Sequence, residues 1–134
     1  MTPQDIAILY KKTKGNYNTK AFSMCQQLGL HWKKMNRHAQ KTGINGKPIR
    51  GWTDGVNVNT KSILDKYDLF VFFHELGHVY LHCHTSKPIY TNSEYITKHS
   101  QIEEEANEFA SAVMLELYGY NSYILSILDV CRYL

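Results

Sequence analysis

The chain has few of the features that would place it in a membrane or in an oxidising compartment. Its three cysteines, Cys25, Cys83 and Cys131, form no CxxC pair and are odd in number, so we expect reduced thiols rather than a disulfide framework. The longest apolar run, residues 69–73, is far too short to span a bilayer. The N-terminal sequence MTPQDIAILYKK lacks the apolar core of a signal peptide. These absences predict a cytosolic protein.

The chain also lacks a strong net charge, since the formal value is only +3. Residues 1–67 contain twelve Lys and Arg against three Asp and Glu, whereas residues 68–134 contain three against nine. A basic half can face nucleic acid or an acidic partner, but these lysines are scattered without a dense run. The pattern is typical of solvated surfaces, and we do not expect direct nucleic-acid binding. With 134 residues, 43% of them hydrophobic, the chain should fold as one domain over residues 1–134.

Local signals predict helices followed by a small sheet. Thr2 before Pro3 is typical of a helix start, and a second helix is predicted over residues 19–28. Residues 31–35 are extended in character. An Asp-Gly pair at residues 54 and 55 lies between residues 49–52 and residues 56–59, and this pattern predicts a hairpin. We therefore expect an α+β fold with a small antiparallel or mixed sheet ahead of a central helix.

That central helix carries the principal motif of the chain. Residues 70–82 read FVFFHELGHVYLH and contain the HExxH pattern at His74, Glu75 and His78. On a helix, side chains four residues apart share a face, so both imidazoles can reach one metal ion. Glu75 projects about 100° further round and can reach a water bound to that ion. Apolar residues on nearly every side predict that this helix is buried.

We expect the motif helix to begin near Asp65 or Asp68 and to run through His82. His82 continues the four-residue series of the histidines. It lies about 12 Å along the axis from His74 by helix rise, too far for all three to bind one ion. A structural or helix C-terminal role is predicted for it instead.

Two histidines leave a zinc ion short of ligands, and a later helix offers the missing one. We predict an irregular stretch from Cys83 to residue 99 and then a helix from Ser100 to about residue 118. Within it Glu103 and Asn107 share a face, so Glu103 suits the metal and Asn107 suits a hydrogen bond to a ligand histidine. Ser100 and Glu103 also match a capping box, which would place Glu103 poorly for a metal. Either the helix starts earlier or Glu104 is the ligand, and the pairing with Asn107 favours Glu103.

The segments HELGHVYLH at residues 74–82 and EEEANEFASAVML at residues 103–115 resemble the ImmA/IrrE metallopeptidases. Members of that family carry HExxH and a later ExxA(N/D)xFA segment on a zincin-like core. The resemblance implies a zincin-like α+β fold, zinc as cofactor, the metal ligands His74, His78 and Glu103, and Glu75 as catalytic base. It further implies a regulatory protease that cleaves a helix-turn-helix repressor protein and is often encoded on a mobile element.

Several alternatives stay open at this point. Cys83 directly follows the motif helix and is a conceivable ligand. Tyr90, Tyr95 and His99 are all candidates to stabilise an oxyanion, and nothing in the sequence selects among them. The competing hypothesis for the whole protein is a non-catalytic, metal-stabilised antirepressor or regulatory binding module. The presence of Glu75 favours the peptidase, because a purely structural metal site does not need it.

Overall fold

The computed structural model describes residues 1–35, 50–83 and 92–131, with the backbone alone for residues 92–99. Within these ranges five helices and three strands follow one another along the chain. They are α1 (Pro3–Lys12), α2 (Tyr17–Gln27), β1 (His31–Lys34), β2 (Gly51–Thr53), β3 (Asn57–Thr60), α3 (Lys66–Leu81), α4 (Asn92–Tyr118) and α5 (Ser122–Cys131). The predicted α+β class is confirmed.

The first two helices begin at side-chain caps. The Thr2 hydroxyl accepts a hydrogen bond from the Asp5 backbone N–H at 3.1 Å, and the Asp5 carboxylate accepts the Thr2 N–H at 3.0 Å. This reciprocal capping box satisfies two backbone donors that the helix itself leaves unpaired. Asn16 caps α2 in a similar way, since its side-chain oxygen accepts the Thr19 N–H at 2.9 Å. Both predicted helices are confirmed, and α2 starts two residues earlier than expected.

The three strands form a mixed sheet in the order β1-β3-β2. Strand β1 runs parallel to β3, with His31 opposite Asn57, while β2 runs antiparallel to β3, with Gly51 opposite Thr60. The hairpin turn between β2 and β3 is held by Asp54, whose carboxylate accepts the Asn57 N–H at 2.7 Å. The predicted hairpin is confirmed, and β2 is one of the two edge strands of the sheet among the residues described.

Helix α3 lies at the centre of the fold, in contact with α4, α5 and strands β2 and β3. Its first turn is capped by Asp65, which accepts the Asp68 N–H at 2.9 Å. Burying a large apolar side chain stabilises a fold by about 1.5–3 kcal/mol, so a helix apolar on most sides is favoured at the centre. The buried apolar side chains of α3 are Leu69, Phe70, Phe72, Phe73 and Leu76.

Helix α4 corrects one prediction. It begins at Asn92, so residues 92–99 are helical rather than irregular, and Ser100 lies inside the helix rather than at its cap. Those residues show little hydrophobic periodicity, but extending a helix from an existing turn costs far less than nucleating one. The rest of the predicted irregular stretch, residues 84–91, lies outside the described residues. None of the helices in the described ranges is long and apolar enough to cross a membrane.

Candidate metal centre between α3 and α4

Three side chains from two helices converge between α3 and α4. The His74 Nε2 atom lies 2.8 Å from one Glu103 carboxylate oxygen, and the His78 Nε2 atom lies 3.0 Å from the other. The two Nε2 atoms are 3.0 Å apart. The structure therefore brings together the two histidines of the motif and the glutamate predicted as the third ligand. One ligand atom from each lies within 4.8 Å of the other two.

This arrangement fits a zinc ion. Two imidazole nitrogens and one carboxylate are a common protein ligand set of catalytic zinc, with the fourth position left for water or substrate. Nitrogens bound to one zinc ion at a tetrahedral angle lie about 3.3 Å apart, given Zn–N bonds of about 2.0–2.1 Å. The observed separation of 3.0 Å is within a few tenths of an ångström of that value.

The early start of α4 resolves the register of its three consecutive glutamates. Because Ser100 lies inside the helix, Glu103 does not act in a capping box and its carboxylate is available to the histidines. Glu103 is partly buried between the helices, whereas Glu104 is exposed. Cys83, the other conceivable ligand, is absent from the cluster that the described residues form. Its thiol packs near the hairpin turn instead, about 3.9 Å from the position of a Cβ added to Gly55.

A glycine in the motif allows the two helices to approach closely. A Cβ atom added to Gly77 would lie 3.1 Å from the Phe109 Cβ and 3.3 Å from the Ala106 Cα on α4. These separations are tighter than ordinary van der Waals contact, so a larger side chain would push the helices apart. The absence of a side chain at Gly77 thus lets α4 bring Glu103 to the histidines.

Each ligand histidine has a hydrogen-bond partner at its second ring nitrogen. The His74 Nδ1 atom lies 2.7 Å from the Asn107 side-chain oxygen. An amide oxygen only accepts, so the Nδ1 atom of His74 carries a proton, and a neutral His74 presents the lone pair of Nε2 to the centre. The His78 Nδ1 atom lies 2.9 Å from the Nδ1 atom of His82. Helix α4 thus orients the first histidine, and the end of α3 contacts the second.

Glu75 lies beside this cluster and is almost entirely buried, with 4% of its surface exposed. Its nearer carboxylate oxygen is 4.0 Å from the His74 Nε2 atom. On its other side Glu75 meets strand β2, where a Cβ added to Gly51 would be 3.1 Å from the Glu75 Cγ. Burial raises the pKa of Glu75 to about 7, and the nearby His74 and His78 moderate that increase. A carboxylate with a pKa near neutrality is well suited to exchange protons with a reacting group.

Charge is distributed unequally between the two glutamates. Burial opposes ionisation of Glu103, but hydrogen bonds from His74 and His78 outweigh it and hold the Glu103 pKa well below its usual value. Burial likewise opposes protonation of His74, yet the contacts with Glu103 and Glu75 leave the His74 pKa raised. Glu103 is therefore the permanent anion of the centre, whereas Glu75 is poised to take up a proton.

Three features of the centre escaped the sequence reasoning. The four-residue spacing signals the contact between His82 and His78, but only a structural or helix C-terminal role was predicted for His82. The close approaches at Gly51 and Gly77 require knowledge of tertiary packing, which no local pattern supplies. The oxyanion candidates Tyr90, Tyr95 and His99 lie outside the residues whose side chains are described.

Two histidines one turn apart on a buried helix, a glutamate from a second helix and a further buried glutamate together form a possible metal site of the zincin-like kind. Residues 65–121 match a peptidase family model described as the IrrE N-terminal-like domain. This match confirms the predicted resemblance to the ImmA/IrrE family, and it implies a metal ion and a protein substrate. No curated protein and no solved structure gives a significant match to the chain.

Proposed function

We propose that this protein is a single-domain, zinc-dependent endopeptidase. We assign His74, His78 and Glu103 as zinc ligands and Glu75 as the catalytic base, with Asn107 supporting His74. The observation that carries the proposal is the position of Glu75, buried and 4.0 Å from His74 Nε2 yet outside the group of three converging ligand atoms. A purely structural zinc site is closed by four ligands and has no use for an adjacent carboxylate of this kind.

The residues of the chain divide the catalytic work between them. When bound, zinc supplies Lewis-acid activation of the attacking water and of the scissile carbonyl. The Glu75 carboxylate accepts the proton of that water and then donates it to the leaving amine. Burial between β2 and α3 keeps bulk water from competing for this proton. Glu103 remains ionised throughout, which balances the positive charge of the centre.

Strand β2 gives the proposed substrate a place to bind. It is one of the two edge strands among the described residues, and its first residue, Gly51, packs against Glu75. An extended peptide that added to this edge would have its backbone held by main-chain hydrogen bonds. The scissile bond would then lie next to the catalytic base. We therefore propose strand addition along β2 as the mode of substrate binding.

The proposed substrate is a helix-turn-helix repressor in the cytoplasm, and the protein would relieve repression by cutting it. This part of the proposal is supported by the likeness to the ImmA/IrrE family. An unstructured or extended linker in the repressor would suit the β2 edge, because strand addition requires a segment that is free to become extended.

The proposal is tested with the product of a neighbouring gene that encodes a helix-turn-helix protein. That product is incubated with the zinc-loaded protein, and the masses of the fragments are followed over time. Within the time in which the wild type yields two new fragments, we expect no detectable fragments from Glu75→Gln, whose zinc content should be unchanged. General base catalysis contributes about 10²–10⁴-fold, so residual cleavage should be at least 100-fold slower.

Unchanged cleavage by Glu75→Gln would show that Glu75 is not the base. Release of the repressor from its operator by both forms, without any fragment, would instead support the non-catalytic antirepressor. The peptidase and the antirepressor are distinguished because the mass measurement detects cleavage and an operator-binding measurement detects release.

A further inference from the structure

We propose that His82 is a positioning residue for the metal centre: it accepts the Nδ1–H of His78 and so fixes the tautomer in which His78 presents Nε2 to the metal. This inference rests on the metal ligands assigned above, but not on peptide cleavage. It gives a role to a histidine that is too far along the helix to share the ion with His74.

The rings of His78 and His82 are in direct contact. The Nδ1 atoms of His78 and His82 are 2.9 Å apart, and the ring planes are inclined by 53°. At that distance one nitrogen donates and the other accepts, because two N–H groups would collide and two lone pairs would repel. A single proton therefore lies between these atoms. The residue that carries this proton determines the tautomers of both histidines.

The proton between the two rings belongs to His78. The Nε2 atom of His78 faces the centre, 3.0 Å from Glu103 and 3.0 Å from His74 Nε2. A histidine binds a metal through a lone pair, so His78 Nε2 carries no proton in the metal-bound protein. A neutral His78 then carries its proton on Nδ1 and donates it to His82.

The second ring nitrogen of His82, Nε2, faces helix α4. With its Nδ1 accepting, a neutral His82 carries its proton on Nε2. That atom is buried, and it lies 3.7 Å from a Glu105 carboxylate oxygen on α4. A nearby negative charge favours the N–H at this position over a lone pair. Glu105 therefore biases His82 towards the tautomer that accepts from His78.

The backbone holds His82 in register for this contact. His82 is the C-terminal cap of α3, and its N–H donates to the carbonyl oxygen of His78 at 2.9 Å. Its side chain is largely buried, with 14% exposed. Both the main chain and the ring of His82 are therefore tied to His78, which limits the rotation of the ring. Asn107 holds His74 from the opposing helix in a comparable way.

The test compares two variants of nearly equal size. Asn places its side-chain oxygen two bonds from Cβ, as His places Nδ1, so His82→Asn keeps an acceptor near the His78 Nδ1 atom. His82→Leu removes the acceptor. Zinc dissociation constants are measured by competition with a chromophoric chelator, using zinc alone as the probe. We expect His82→Leu to weaken zinc binding about 10–100-fold and His82→Asn to weaken it less than about 3-fold.

Equal losses in the two variants, or no loss in either, would overturn the proposal. Thermal unfolding of both variants in excess chelator checks that the apoprotein remains folded. If His82→Leu does not fold, ¹⁵N spectra of the imidazoles in the zinc-bound wild type decide the question. Protons on Nδ1 of His78 and Nε2 of His82 are expected, and a proton on Nδ1 of His82 would refute the assignment.

The result of the zinc-binding test is independent of the result of the cleavage test. Zinc binding that depends on His82 in a protein that cuts no repressor would uphold this inference while the peptidase proposal fails. A wild-type protein that binds no zinc would refute the metal centre and this inference together.

Discussion

Helices α3 and α4 carry the titratable side chains that converge on the candidate metal centre, whereas strand β2 approaches Glu75 through its backbone and the two leading helices pack elsewhere on the fold. Strand β2 touches the site at Gly51, directly against Glu75. Helix α1 packs against α4, and α2 packs against β1. The family match follows the same division, because it spans residues 65–121 and so includes α3 and α4 but not the preceding sheet.

The difference shows how chemistry and support are divided in this fold. The ligand set needs only one helix with a four-residue histidine spacing and a second helix close enough to add a carboxylate. The burial of Glu75, and with it the raised pKa, depends on β2 covering it from the other side. A region without ligands can therefore still tune the proposed base.

The largest effect is expected within the helix pair, from Glu103→Ala. This change removes one of three assigned ligands, so zinc affinity should fall by more than the roughly 10–100-fold that the loss of an outer-shell group costs. Metal analysis after gel filtration measures the stoichiometry. The matched control is Glu104→Ala, at an exposed neighbour that should keep its zinc. Zinc lost from the control but not from Glu103→Ala would transfer the ligand role to Glu104.

A smaller effect in the same region is expected from Asn107→Leu. The change removes the oxygen that lies 2.7 Å from His74 Nδ1, so the ring loses the partner that fixes its tautomer. Zinc affinity, measured by chelator competition, should fall about 10–100-fold. Asn107→Asp keeps an acceptor oxygen at the same position and should bind zinc at least as tightly as the wild type. Equal affinity for the Leu and Asp variants would remove Asn107 from the centre.

The supporting region is tested by Gly51→Ala. The added Cβ would lie 2.9 Å from the Asn59 carbonyl oxygen and 3.1 Å from the Glu75 Cγ, so β2 or Glu75 must move. Overpacking of this kind costs about 1–3 kcal/mol, and we expect cleavage to slow several-fold while zinc is retained. Gly119→Ala serves as control, because its φ of 79° makes the change destabilising far from the site. Normal cleavage by Gly51→Ala would confine the functional machinery to α3 and α4.

The fold could be predicted wherever local chemistry decides it. Short-range sequence signals predict the helix cap at Thr2 and the turn at Asp54, and the structure has both at the predicted positions. The parallel pairing of β1 with β3 could not be predicted, because it joins residues more than twenty positions apart. The start of α4 at Asn92 was also missed, because residues 92–99 show little hydrophobic periodicity.

The candidate site also has parts that local sequence patterns predict and parts that depend on tertiary packing. The pairing of His74 with His78 follows from helix geometry alone, and the spacing of Glu103 and Asn107 indicated that both face the same neighbour. The register of Glu103 depended on where α4 begins, which the capping-box pattern at Ser100 obscured. The contact of Gly51 with Glu75 is set by how β2 packs on α3, and residue patterns within one segment do not encode it.

The smallest effect is expected at the hairpin turn, from Asp54→Ala. Hydrogen bonds from the backbone and side chain of Asn57, and then from the Val56 backbone, lower the pKa of Asp54 from 3.8 to about 2. A carboxylate with a lowered pKa contributes stability above its unfolded pKa of 3.8 and loses it as the pH falls through about 2. Asp54→Ala should therefore lower the free energy of unfolding by about 1 kcal/mol at neutral pH, a typical value for such hydrogen bonds.

Urea unfolding in excess chelator, compared between neutral pH and about pH 2, measures this difference without a contribution from zinc. The gap between wild type and Asp54→Ala should narrow at the acid end, because protonation weakens the same hydrogen bonds in the wild type. Asp54→Asn keeps an acceptor but cannot ionise, so its deficit should be smaller at neutral pH. If the deficit of Asp54→Ala were instead independent of pH, the charge of Asp54 would not stabilise the hairpin. A loss of cleavage in this variant would extend the influence of the sheet on Glu75 beyond the Gly51 contact.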